Sequence, residues 1–177
     1  MTNNLGGNMN SEEIFISALA YEKKIRDLYV SADKIVDDER GKKIFKALAD
    51  DEQAHVDFLE YSLDILKAQG QIDITKLETS IPSKDLFQDE IEKMREKIPE
   101  RILGDVKRVL NSALMLEIET SEFYQDAYEK TQGPIKEIFK KLLEIERRHE
   151  DVVQIELDHA SNNGYWFNFM EIDMEHG

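Results

Sequence analysis

The sequence predicts an all-α fold, a four-helix bundle of two helical hairpins joined by a long crossover. Three observations carry that expectation. Four long segments repeat apolar residues at a helical period. Charged residues make up 34% of the chain and proline occurs only 3 times, as long solvated helices require. The two halves also repeat one pattern. Ala18-Leu19-x-x-Glu22 followed by Tyr29 matches Ala113-Leu114-x-x-Glu117 followed by Tyr124.

Taken in order, residues 1–10 are polar, rich in Gly and Asn, and read as a flexible start without signal-peptide character. Asn10 and Glu13 form a capping box that opens helix A, about Ser11 to Val36. Its buried stripe reads Phe15, Ala18, Leu19, Glu22, Ile25, Tyr29 and Val36, so one carboxylate stands among apolar side chains. Asp37-Asp38-Glu39 is a short turn, which makes helix B, about Gly41 to Gln69, antiparallel to A. Gly70 is placed to cap its C-terminus.

The connection from about 71 to 103 is too long for a hairpin. Thr79, Ser80, Pro82 and Ser83 signal a small helix near Lys84 to Lys97, with Phe87, Ile91, Met94 and Ile98 on one face. Pro99 breaks the chain after it. Such a crossover is expected to let helix C, about Gly104 to Lys130, run parallel to A. Val106, Leu110, Ala113, Glu117, Thr120 or Ser121, and Tyr124 should face inward. Gly133-Pro134 starts helix D, which runs to about Asn162 and ends at Gly164. The bundle thus covers 11–162, and residues 163–177 form an aromatic and acidic tail expected to fold back on the bundle or fill a subunit interface.

At 177 residues the chain is long enough to bury one substantial core. A formal net charge of -15 argues against nucleic-acid and anionic-membrane partners. No cysteine is present, which removes disulfides, thiolate zinc sites and iron–sulfur clusters. No apolar run approaches membrane-spanning length, and the cytoplasm is the expected location.

The chemistry lies in the carboxylates and imidazoles on the apolar stripes. Glu52 and His55, three residues apart, share a helix face with Phe45, Leu48, Leu59 and Leu66. Glu146 and His149 do the same with Phe139, Leu142 and Val153. Glu22 to Glu52 spans 30 positions and Glu117 to Glu146 spans 29. Acids inside an apolar face are costly unless something neutralises and orients them, and divalent metals do both. A Glu on the first helix and a Glu-x-x-His on the second helix of each hairpin is the ligand set of ferritin-like di-metal bundles. Four carboxylates and two neutral imidazoles also balance two divalent cations. Glu156-x-x-His159 repeats the spacing near the end of helix D, but with no upstream Glu to complete it, and reads as a decoy. His176 lies in the terminal tail and takes no role. Tyr29 and Tyr124, two turns beyond the single Glu of their helices, are either core residues or donors that orient a ligating carboxylate.

These stretches, with Phe45-x-x-Leu48-Ala49-Asp50-Asp51-Glu52-x-x-His55 and the ending Gly164-Tyr165-Trp166-Phe167, resemble the rubrerythrin branch of the ferritin-like superfamily, from about Ser11 to Glu175. The resemblance implies a di-iron site at Glu22, Glu52, His55, Glu117, Glu146 and His149. It implies reaction with hydrogen peroxide or dioxygen, and a homodimer. Two features depart from the family pattern. Without cysteine the chain carries no rubredoxin domain, so electrons are expected from an external donor such as a separate rubredoxin. The family's further Glu, three residues after the helix C ligand, is here Thr120, leaving a symmetric six-residue site closer to bacterioferritin's. Non-catalytic iron sequestration or sensing is the alternative, as is a manganese or zinc pair, since oxygen and nitrogen donors accept several divalent metals.

Overall fold

The computed structural model describes residues 10–86 and 95–171, in which four long helices carry the fold. They are α1 (Ser11–Ile35), α2 (Glu39–Lys67), α3 (Glu100–Lys130) and α4 (Gly133–Asn163). Each begins and ends where local chemistry stops it. Asn10 accepts from the Glu13 amide while Glu13 accepts from the Asn10 amide, completing the capping box. Asp38 caps α2 through the Gly41 amide. Gly164, at φ 69°, ends α4 in the left-handed conformation that glycine adopts without strain. At the end of α2 the left-handed residue is Gln69, at φ 56°, rather than Gly70. Gly70 instead donates its amide back to the Ile65 carbonyl, and Gln69 donates to that of Leu66, a Schellman closure.

The helices pack as two hairpins, α1 with α2 and α3 with α4, and the hairpins meet along α1 and α3. Their direction corrects the sequence expectation. Tyr29 reaches Glu117 while Tyr124 reaches Glu22, a crossed pattern that antiparallel neighbours make. Helix α3 therefore runs antiparallel to α1 and parallel to α2. The crossover returns the chain along the length of the bundle before the next helix starts.

The crossover differs from expectation in a second way. Lys84–Leu86 forms a single 3-10 turn, and residues 87–94, with Phe87, Ile91 and Met94, lie outside the described residues. Arg95–Lys97 is a strand (β1), paired antiparallel with Tyr165–Phe167 (β2) in the register Arg95 to Phe167 and Lys97 to Tyr165. The Ile98 amide continues the pairing to the Gly164 carbonyl at 2.8 Å. The strand's partner is 70 residues away, so no local periodicity announces it. Helix α3 also starts earlier than expected, directly after Pro99, whose fixed φ suits an N-terminal position. Gly104 is simply carried within its first turns.

The core has two lobes. One gathers Ile25, Val36, Phe45, Leu110, Val153 and the tail's Trp166, Phe167 and Phe169, so the aromatic tail does fold back on the bundle. The other gathers Phe15, Leu59, Tyr124, Phe139 and Leu142. Between the lobes lies a layer of buried polar groups. Among the described residues no helix is long and apolar enough to cross a membrane.

Candidate metal centre

The six residues singled out by pattern converge in that layer. Glu22 comes from α1, Glu52 and His55 from α2, Glu117 from α3, and Glu146 and His149 from α4, and all six are fully buried. Helical spacing explains the local part, since residues three apart stack on one face. Antiparallel packing does the rest, setting Glu52 against His149 at 2.6 Å and His55 within 3.8 Å of Glu146.

The donors form two overlapping groups. Glu22, Glu52, His55 and Glu146 can each offer an atom with all four lying within 4.8 Å of one another, and so can Glu52, Glu117, Glu146 and His149. Glu52 and Glu146 belong to both groups, while each group has its own single Glu and its own His. Each group could hold a metal ion, and the two groups share two carboxylates.

The imidazoles are oriented from behind. His55 and His149 both turn Nδ1 toward the acids. His149 Nε2 lies 2.7 Å from Asp51, and His55 Nε2 lies 3.2 Å from the Glu78 carbonyl. Asp51 is itself held by the Thr79 hydroxyl at 2.8 Å, the Ser80 amide at 2.7 Å and the Ser80 hydroxyl at 3.0 Å. An imidazole that gives Nδ1 to a cation keeps its proton on Nε2, and an acceptor there fixes ring and tautomer. Asp51, His55 and His149 also lie close enough to form a third donor group. The two Nε2 atoms would carry protons whenever the inner groups hold cations, which leaves Asp51 placed to accept from His149. Sequence reading passed over Asp51. Its burial comes from the 78–80 segment of the crossover, whose docking no helical pattern encodes. An open cleft of about 350 Å³ runs along the outer side of that segment, lined in part by Glu78, Thr79, Lys141 and Arg148.

The tyrosines clasp the hairpins together. Tyr29 donates to Glu117 and Tyr124 donates to Glu22, each at 2.6 Å. Burial, with the neighbouring carboxylate charges, pushes both phenols well above their ordinary value, so they remain donors. Thr120 spends its hydroxyl on the Leu116 carbonyl of its own helix at 2.8 Å.

Electrostatics show a cluster short of positive charge. Burial, reinforced by the Glu22 charge, pushes Glu52 far up, and Glu146 is raised by burial with the Glu22 and Glu52 charges. Burial opposes ionisation of Glu22 too, but the closeness of Glu52 and His55, the His55 charge and the Tyr124 hydrogen bond outweigh it and hold the carboxyl at about 2. Burial also works against Glu117 ionising, yet the His149 charge keeps it below the ordinary range. Burial disfavours the charged imidazoles, but the acids lift His55 to about 10 and push His149 well up. Protons thus hold the balance that cations would otherwise supply. Even so, Glu22 Oε2, Glu52 Oε2, Glu117 Oε2, both oxygens of Glu146 and His55 Nδ1 are buried without any hydrogen-bond partner. Orphaned buried acceptors of this number are expensive, and all belong to residues of the two donor groups. The residues fit a pair of divalent cations.

Glu156 and His159 stay outside the cluster. Helix α4 is not frayed at Glu156, which is fully buried and accepts the Phe167 amide of β2 at 3.0 Å. His159 packs edge-on against the Phe167 ring.

A rubrerythrin family model matches residues 13–157, nearly the whole helical bundle. The chain belongs to the rubrerythrin family. No curated protein and no solved structure matches it significantly. Family membership and the buried carboxylate–histidine cluster agree on a metal-binding bundle of the ferritin-like type.

Proposed function

We propose that this rubrerythrin-family protein holds two iron ions and reduces hydrogen peroxide, or dioxygen, with electrons from an external donor. The observation that carries the reading is the pair of overlapping donor groups sharing Glu52 and Glu146, with their orphaned oxygens. Glu22 and His55 would serve one ion, Glu117 and His149 the other, and Glu52 and Glu146 both. Bound ferrous iron would supply the two electrons that splitting the O–O bond requires.

The chain's own residues do the remaining work. Asp51 and the Glu78 carbonyl hold the imidazoles so that Nδ1 faces inward. Tyr29 and Tyr124 hold one oxygen each of Glu117 and Glu22, leaving the other oxygen free to bind. Apolar lobes on both sides keep bulk water out, which strengthens every charge interaction inside. These 177 residues contain no cysteine, which supports a separate redox partner such as a rubredoxin. The resemblance to the family supports a homodimer, for which exposed Ile16, Val30, Ile35, Met115 and Ile118 offer apolar surface.

Anaerobic mixing of the ferrous protein with peroxide tests the reading. About one peroxide should disappear per iron pair, matching the two electrons available, and consumption should then stall until a donor is added. Ferrous protein that ignores peroxide would leave iron sequestration or sensing as the function. Elemental analysis of protein from its native cell decides among iron, manganese and zinc.

A further inference from the structure

We propose that Asp51, His55 and His149 form an outer landing site through which divalent metal ions enter the inner donor groups. The proposal rests on the di-metal reading above for the ion's destination, while the landing site itself needs only these three residues. Asp51 and the two imidazoles each offer a donor atom, all within 4.8 Å of one another. Asp51 Oδ2 stands 3.6 Å from His55 Nε2 and 2.7 Å from His149 Nε2. Donors about 2.1 Å from one ion at tetrahedral angles stand about 3.4 Å apart, so only the second distance has to lengthen. The Glu78 carbonyl, 3.2 Å from His55 Nε2, offers a further oxygen. Two imidazole nitrogens with oxygens suit a first-row ion such as ferrous iron, cobalt or zinc, and not calcium or magnesium.

Position assigns the site to entry. The six inner residues are fully buried between apolar lobes, whereas Asp51 keeps 4% of its surface exposed. Thr79 donates to Asp51 at 2.8 Å and, with Glu78, lines the cleft of about 350 Å³. Glu78 and Glu144 offset Lys141 and Arg148 along that cleft, and the chain's formal charge of -15 draws cations toward it. An ion arriving there meets Asp51 before any inner acid. The imidazoles make the outer and inner positions alternatives, because a neutral ring binds an ion at one nitrogen and keeps its proton on the other. With the ion outside at Nε2, the proton sits on Nδ1, where Glu52 stands 2.6 Å from His149 and 3.5 Å from His55. With ions inside at Nδ1, the proton sits on Nε2, facing Asp51 and the Glu78 carbonyl. Passage inward therefore exchanges one tautomer for the other and vacates the landing site, so the filled chain still holds two ions. Asp51 alone supplies charge outside, against four carboxylates inside, which sets the direction.

Glu52→Gln with Glu146→Gln removes both shared carboxylates and isolates the landing site. Zinc is added to this variant, and NMR with nitrogen-labelled histidine reads which ring nitrogen carries the metal. The chain has only four histidines, few enough to assign. One zinc per chain bound through Nε2 of His55 and His149 is the expected result, lost when Asp51→Asn is added. Zinc bound through Nδ1, or no zinc bound by the folded variant, overturns the landing site. Circular dichroism reports folding, and should the variant not fold, uptake kinetics with all six inner residues intact decides. Stopped-flow mixing of metal-free protein with cobalt should show a fast phase ahead of slower inward filling, and Asp51→Asn should lose the fast phase. Single-phase filling by the wild type, or a fast phase that survives Asp51→Asn, overturns the route. Wild-type chain that takes up fewer than two ions, while the double variant binds zinc through Nε2, leaves the landing site standing and sinks the di-metal reading alone.

Discussion

Both ring nitrogens of His149 are committed, Nδ1 to Glu52 and Nε2 to Asp51, which ties one side chain to cation binding and to its own orientation. His149→Ala should therefore cut bound iron from two ions per chain to one or fewer, while His159→Ala keeps two; elemental analysis of reconstituted protein reads the difference. Glu156 makes a second residue-level test. Burial raises its carboxyl well above the ordinary value, against a smaller lowering effect of the Phe167 amide. An acid whose folded value is raised stays protonated in the folded chain while the unfolded chain has already ionised. Stability is then lost as pH climbs from the unfolded value toward the folded one, by at most about 1.4 kcal/mol per pH unit. Glu156→Gln escapes this, so urea melts from pH 5 to 8 should show the variant gaining on the wild type as pH rises. A constant gap across that range would mean that Glu156 ionises normally. The six cluster residues were legible in the sequence because a Glu or His on an apolar stripe is a local anomaly. Asp51 and the buried setting of Glu156 were not, because the 78–80 segment and strand β2 bury them from afar.

At the scale of elements, period and capping made the helices readable, from the Asn10 capping box to the glycine that ends α4. What periodicity lacks is direction and partner. The antiparallel course of α3 against α1 appears only in the crossed tyrosine contacts, and Arg95–Lys97 becomes a strand only because Tyr165–Phe167 lies beside it. That strand pair seats Trp166 over the start of α2, against Gly41 and the Phe45 ring. A Cβ on Gly41 would stand 2.5 Å from Val36 Cγ1 and 2.7 Å from the indole. Overpacking of this kind costs about 1–3 kcal/mol. Gly41→Ala should lower stability by that amount in chemical denaturation and red-shift or broaden the fluorescence of the tryptophan. Unchanged stability would show that the tail sits more loosely on the bundle than its burial indicates.

For the whole molecule, two repeated hairpins bring four carboxylates and two imidazoles into one dry layer between apolar lobes. Conformational entropy opposes folding throughout, so a layer of orphaned acceptors is tolerable only if something binds it. A ligand that binds the folded chain alone stabilises it by about 2.7 kcal/mol per site at a hundredfold excess over its Kd. For a domain of this size two such sites raise Tm by about 10–20 °C. Anaerobic titration of ferrous iron into metal-free protein, with thermal unfolding followed at each step, tests this most directly. Uptake should stop at two ions per chain with the rise in Tm complete at that point. Absence of stoichiometric uptake, with an unchanged melting temperature, would contradict a di-metal centre at these six residues.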